Sequence, residues 1–142
     1  MSESMIRGSC LCGAVEFRIT TPTTAVVHCH CSMCRRNHGA AYVTWIALPR
    51  DQFWVEAGEE ELVRFDSSTH GTRRFCGRCG TSLLCESTER SGEVDIPLAT
   101  LEGPVDRDPQ LHIYYDDRAA WTRCEDGLPR LGGETGVEPR GE

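Results

Sequence analysis

The 142-residue sequence contains no lysine; all fifteen of its basic residues are arginine. That absence removes every mechanism built on a lysine amine, including Schiff-base formation and a lysine general base. Large aliphatic and aromatic side chains are also scarce. Leu, Ile, Val and Phe number 28 in all, a share close to the lower limit for chains that fold on apolar burial alone. Something besides a hydrophobic core must therefore help to hold the fold. No apolar run approaches the ~18 residues that a membrane-spanning helix needs. The opening residues Met1-Ser2-Glu3-Ser4-Met5-Ile6-Arg7 lack the apolar stretch of a secretion signal. Positive charge is in deficit as well, with a net charge of -7, which excludes general attraction to nucleic acid or anionic lipid. A cytoplasmic, reducing compartment is the expected location, and there clustered cysteines bind metal or react rather than pair as structural disulfides.

Helical periodicity is missing too, since no window of a dozen residues repeats every three to four positions. Short helical turns are expected only at Ser32–Asn37 and Asp117–Trp121. Strand signals replace them. Ala14-Val15-Glu16-Phe17-Arg18-Ile19 alternates with Val15, Phe17 and Ile19 on one face. Similar runs occupy Ala25–His28, Ala41–Ala47, Phe53–Glu56, Leu62–Phe65, Thr72–Phe75, Ser82–Cys85, Val94–Leu98 and Leu111–Tyr115. Turn chemistry separates them at Thr21-Pro22, Leu48-Pro49, Ala57-Gly58, His70-Gly71, Ser91-Gly92 and Gly103-Pro104. The expectation is one mainly β domain over residues 1–131. Residues 132–142, with four glycines and no aromatic, read as a flexible C-terminal tail.

Nine cysteines stand against these absences, and seven fall into three groups. These are Cys10-Leu11-Cys12, Cys29-His30-Cys31-Ser32-Met33-Cys34 and Cys76-Gly77-Arg78-Cys79. In an extended segment, Cys-x-Cys turns both sulfurs to one face. Cys-x-x-Cys sets two sulfurs around a tight turn, which Gly80 permits by its freedom to adopt positive φ. Each pair is half of a tetrahedral zinc site. Cys10, Cys12, Cys76 and Cys79 together make a closed structural site that joins segments 64 residues apart (Cys12 to Cys76). Cys29, Cys31 and Cys34 supply three ligands, the usual complement of a catalytic zinc with an open fourth position. Two zinc ions per chain are the simplest partition. A rubredoxin-like iron, closure of the second site by His28, His38 or His70, and a redox pair at Cys76 and Cys79 remain alternatives. Cys85 and Cys124 read as small packed hydrophobes. By strand parity His30 faces away from its neighbouring ligands, in an outer or merely exposed position.

With these groups in view, the sequence resembles the glutathione-dependent formaldehyde-activating enzymes, a family that also includes centromere protein V. The resemblance rests on Gly8-Ser9-Cys10-Leu11-Cys12-Gly13, Cys29-His30-Cys31-Ser32-Met33-Cys34-Arg35-Arg36 and Phe75-Cys76-Gly77-Arg78-Cys79-Gly80-Thr81. It extends more weakly to Pro109-Gln110-Leu111-His112-Ile113, Trp121 and Asp126-Gly127-Leu128-Pro129. The resemblance implies several coiled antiparallel sheets with little helix, a β-tent, and the same division of cysteines between two zinc ions. It also implies a carbon–sulfur lyase that equilibrates glutathione and formaldehyde with S-hydroxymethylglutathione.

For such chemistry, guanidiniums should meet the carboxylates of glutathione, and Arg35, Arg36, Arg73 and Arg74 flank the cysteine groups. Tyr42, Trp45 and Trp54 are candidates for an apolar wall beside the open site, with core packing as their alternative role. The competing function is a non-catalytic, zinc-stabilised module that binds another protein. The fourth ligand of the three-cysteine metal discriminates the two: a solvent or small thiol there marks an enzyme, a protein side chain the module.

Overall fold

The computed structural model describes residues 4–141. The chain is mainly β, with strands β1 (Met5–Ser9), β2 (Glu16–Thr20), β3 (Ala25–Cys29), β4 (Val43–Pro49), β5 (Phe53–Ala57) and β6 (Leu62–Asp66). They are followed by β7 (Gly71–Cys76), β8 (Ser82–Ser87), β9 (Glu93–Pro97), β10 (Leu111–Ile113), β11 (Leu131–Gly132) and β12 (Glu138–Pro139). Among the described residues one short α-helix, α1 (Ser32–His38), and five single 3-10 turns complete the list. No helix is long and apolar enough to cross a membrane.

Three sheets result: β1-β2-β5, β10-β3-β4-β9-β8-β7-β6, and the pair β11-β12. Strand pairing is antiparallel except between β10 and β3, which run parallel. The alternation expected in β2 is present. Val15, Phe17 and Ile19 are buried while Glu16 and Arg18 stay at the surface. With Ile6 and Phe53 they form the small sheet's share of a core completed by Val26, Ile46, Leu48, Leu83, Val94 and Ile96 from the large sheet.

β4 is central and buried on both faces. Ile46 and Leu48 point into that main core, whereas Val43 and Trp45, on the opposite face by strand parity, enter a second cluster with Cys29 and Cys34. One strand therefore separates the bulk of the apolar packing from the sulfur-rich packing.

Gly8 interrupts the side-chain alternation of β1, so the strand has no readable period. The glycine is required there, since a Cβ would collide with the Phe17 ring across the β1–β2 pair. In the C-terminal segment, Leu131 and Gly132 pair with Pro139 and Glu138. The Gly136 carbonyl accepts a hydrogen bond from the Tyr114 amide at 2.9 Å, and Arg140 reaches Asp116 at 2.8 Å.

Two glycines at positive φ test how the turns are held. Gly58 has φ 78° and a Cβ there would run into the Ala14 carbonyl, whereas Gly92 has φ 86° with open space around it. Gly92→Ala should cost about 1–2 kcal/mol, the price of the left-handed conformation alone. Gly58→Ala should cost at least twice that, because the backbone must also move. Urea denaturation of both variants checks the ordering, and equal losses would refute the described packing at Ala14.

Candidate metal centres

Cys10 and Cys12 occupy the turn that follows β1 rather than an extended segment. The Cys10 amide donates to the Val15 carbonyl at 3.1 Å and the Gly13 amide to the Cys10 carbonyl at 3.1 Å. Cys76 ends β7, and Gly80, at φ 83°, folds the knuckle back so that its amide donates to the Cys76 carbonyl at 2.8 Å. Thr81 fastens the two turns together, accepting from the Leu11 amide at 3.0 Å and touching the Cys79 sulfur at 3.2 Å.

All four sulfurs lie within 4.8 Å of one another. Cys10 and Cys12 are 3.6 Å apart, and Cys12 and Cys76 3.8 Å. Backbone amides of Val15 and Arg78 donate to the Cys10 and Cys76 sulfurs at 3.3 and 3.4 Å; against the opposing effect of burial, the Val15 amide helps to hold the Cys10 thiol below its ordinary value. Contact with Thr81 brings the Cys79 thiol down to about 5. This group could hold a metal ion.

The second group is built around the start of α1. Cys29 ends β3, Cys31 caps the helix by accepting from the Cys34 amide at 3.2 Å, and Cys34 sits in the first turn. Their sulfurs lie within 4.8 Å, with Cys29 and Cys34 3.5 Å apart. Gly39, at φ 60°, ends the helix with its amide on the Arg35 carbonyl.

Arg73 of β7 is buried at 6% exposure, and its Nη2 donates to the Cys34 sulfur at 3.5 Å. Contact with the Cys29 and Cys31 thiols, then the Arg73 charge, holds Cys34 at about 2. Cys29 is pushed up by the same sharing, through its contacts with Cys31 and Cys34 and through burial. Two thiols and a guanidinium thus favour the thiolate form of Cys34. Among the described residues no histidine or carboxylate joins the three sulfurs at this range.

The other face of β3 carries different chemistry. His28 bonds Thr44 at 2.8 Å through Nδ1. His30 is fully buried, not exposed, and its Nε2 lies 2.8 Å from Nδ1 of the equally buried His112. His112 Nε2 in turn meets the Asp126 carboxylate at 2.9 and 3.1 Å. Burial and then the neighbouring His112 push His30 down to about 4, so it is neutral at pH 7. Strand parity turned His30 away from the cysteines as expected, but the parallel strand β10 supplies a partner there and excludes water.

The remaining candidates divide between the two faces. Trp45 packs with the three-cysteine group, and Arg73 lies 5.9 Å over its ring. Tyr42 instead packs edge-on against His28 and at a tilt against His30, with ring centroids 4.8 and 4.9 Å apart. Trp54 lies on the small sheet under Arg18. Cys85 packs against the three-cysteine cluster and is pushed up to about 11 by burial. Cys124 is buried with its sulfur near His30 and His112. His38 packs edge-on against Trp45, and His70 bonds Thr88 and Glu89. Arg74 lies 3.8 Å from Glu86, Arg35 is half-buried, and Arg36 is exposed. Sequence reasoning assigned no role to His112 or Asp126. A histidine inside the apolar strand Leu111-His112-Ile113 was a usable signal for the first, whereas nothing local marked its carboxylate partner.

The chain is similar to several known proteins. A Halomonas elongata protein named for glutathione-dependent formaldehyde activation is 30% identical over 129 residues, covering 85% of this chain and 82% of its own. A Podospora anserina protein of the same name is 38% identical over 77 residues, covering 52% of this chain and 36% of its own. A Schizosaccharomyces pombe protein named as an uncharacterized lyase is 26% identical over 76 residues, covering 54% of this chain and 53% of its own. The crystal structure of a Rhodobacter sphaeroides protein superposes with a TM-score of 0.59 at 27% identity, covering 72% of this chain and 93% of that one. The family model for the glutathione-dependent formaldehyde-activating enzyme matches residues 5–117, a span that includes all seven clustered cysteines, and the chain belongs to that family.

Proposed function

We propose that this chain is a zinc-dependent carbon–sulfur lyase that makes and breaks the adduct of a small thiol, glutathione, with a small aldehyde such as formaldehyde. The observation that carries the reading is the contrast between a complete set of four sulfurs and a set of three with no fourth protein ligand among the described residues. Zinc suits both sets. Four sulfurs at about 2.3 Å from a tetrahedral zinc are about 3.8 Å apart, and the four-cysteine group has separations of 3.6 and 3.8 Å. Cys10, Cys12, Cys76 and Cys79 would hold the structural ion; Cys29, Cys31 and Cys34 would hold the catalytic one.

When bound at the second site, zinc supplies a Lewis acid that favours the thiolate form of an incoming thiol. The protein's own groups do the rest. Cys29, Cys31 and Cys34 fix where that thiol arrives, and Arg73 offsets the negative charge of the sulfurs. Trp45 and Val43 keep that wall of the site apolar, which favours an uncharged aldehyde over water. Forward, the sulfur lone pair forms a bond to the aldehyde carbon, the carbonyl π pair moves to oxygen, and the thiol proton ends on that oxygen. The reverse step breaks the same bond and returns both molecules. With Arg73 committed to Cys34, Arg35 and Arg36 remain as guanidiniums for the glutathione carboxylates.

Elemental analysis of protein purified without chelator should return two zinc ions per chain; one ion, or iron, would refute the partition. Cys76→Ser should unfold the domain, because closing a structural zinc site contributes on the order of 10 kcal/mol to folding. Cys31→Ser should keep the fold and lose only one ion, as read by circular dichroism with metal counting. Equal unfolding of both variants would overturn the division of roles.

Cobalt in place of the second zinc tests the thiol. Glutathione should intensify the cobalt–thiolate absorption of the wild type, and glutathione disulfide should not. No change at millimolar glutathione would overturn the lyase reading and leave the protein-binding module. Hemithioacetal exchange faster than the spontaneous reaction would establish turnover.

A further inference from the structure

The face of β3 opposite the cysteines has ligands in a row. β10, β3 and β4 are neighbours, and their registers set His112 beside His28 and His28 beside Thr44. The two imidazole rings are 4.9 Å apart. Asp126 is brought to this row by the segment that follows, where the Leu128 amide holds its Oδ1 at 3.1 Å and the His112 amide donates to the Pro129 carbonyl at 2.8 Å. One ligand atom from each of His28, His112 and Asp126 then lies within 4.8 Å of the others.

We propose that His28, His112 and Asp126 form a third cation site, separate from both sulfur groups, for a late first-row divalent ion such as Co2+, Ni2+ or Zn2+. Two imidazoles and one carboxylate are a donor set these ions favour. Two ligands at about 2.1 Å from an ion and at right angles to each other are about 3.0 Å apart. His112 Nε2 lies 2.9 and 3.1 Å from the two Asp126 oxygens.

The surrounding hydrogen bonds match what metal-binding histidines require, which is a partner on the ring nitrogen that does not bind the ion. Thr44 takes Nδ1 of His28, leaving Nε2 as its ligand atom, and His30 takes Nδ1 of His112, leaving Nε2 there as well. With its proton on Nδ1, His112 donates to His30 and offers Nε2 to the ion.

Access also fits. Asp126 is exposed, His28 half-buried and His112 fully buried, so an ion can enter from solvent and keep water as its remaining ligands. A rival set of His30, His112 and Cys124 also lies within 4.8 Å, but all three are buried. Using the facing nitrogens of that histidine pair would break their 2.8 Å hydrogen bond.

The test starts from the protein as purified, with its resident metal counted, and adds Co2+. One further equivalent should bind, with weak visible bands and no new cobalt–thiolate absorption. In the wild type it should broaden the imidazole NMR signals of His28 and His112 and leave those of His70 unchanged. Asp126→Asn and His28→Gln should each abolish the extra equivalent without changing the resident metal count. Thr44→Val should weaken binding by about 10- to 100-fold.

Failure of the wild type to take up a further equivalent at millimolar Co2+ would overturn the proposal. So would an equivalent that survives both ligand substitutions, or one that brings thiolate absorption and thereby implicates Cys124. If a variant does not fold, the wild-type NMR pattern decides.

Discussion

Four sulfurs from two distant turns meet within 4.8 Å, and the rest of the architecture depends on that convergence. Cys10 and Cys12 follow β1 of the small sheet, Cys76 ends β7 of the large one and Cys79 lies in the turn after it, so the sulfurs sit where the two sheets must be joined. The join is continuous with the apolar core, because Cys10 and Cys76 are buried members of it and Cys79 packs against it. A chain this poor in large aliphatic residues gains from such an arrangement. Its strands are short, the described ones running from two to seven residues, and short strands bury little area each. A metal held by four thiolates would fix the relative position of the sheets that apolar contact alone holds weakly.

Strand parity then divides chemistry between two faces of one strand. In β3 and its extension, Val27, Cys29 and Cys31 alternate with Val26, His28 and His30. The first face meets Trp45, Val43 and Ile113 and gathers sulfur. The second meets Thr44 and His112 and gathers imidazole. Because β10 lies parallel to β3 and in register, Ile113 stands beside Cys29 and His112 beside His28. A shift of one residue would exchange the two and place a histidine against the thiolates.

This logic also sets how much could be read from the chain alone. The cysteine spacings and the alternation in β2 are local, and local patterns survive translation into sequence. The union of Cys10, Cys12, Cys76 and Cys79 is not local, and followed only from counting pairs against a tetrahedral requirement. His112 and Asp126 had no such rule to join them to His30, which is why a fully buried histidine read as outer or exposed. β10 is three residues long, too short to display a period, and its parallel partner lies about eighty positions earlier. β1 was hidden by Gly8, whose missing side chain is demanded by the Phe17 ring rather than by any turn.

Charge separates the two sulfur groups more sharply than ligand number does. At the four-cysteine group the nearby guanidinium, Arg78, is exposed and paired with Glu61 at 3.1 Å. At the three-cysteine group, Arg73 is buried, bonded to the Cys34 sulfur and to Ser67, and its Nη1 has no partner. A buried guanidinium needs compensation, and the thiolate supplies part of it, so Arg73 and Cys34 stabilise each other's charged forms. The unpartnered nitrogen costs about 1–3 kcal/mol unless some group meets it.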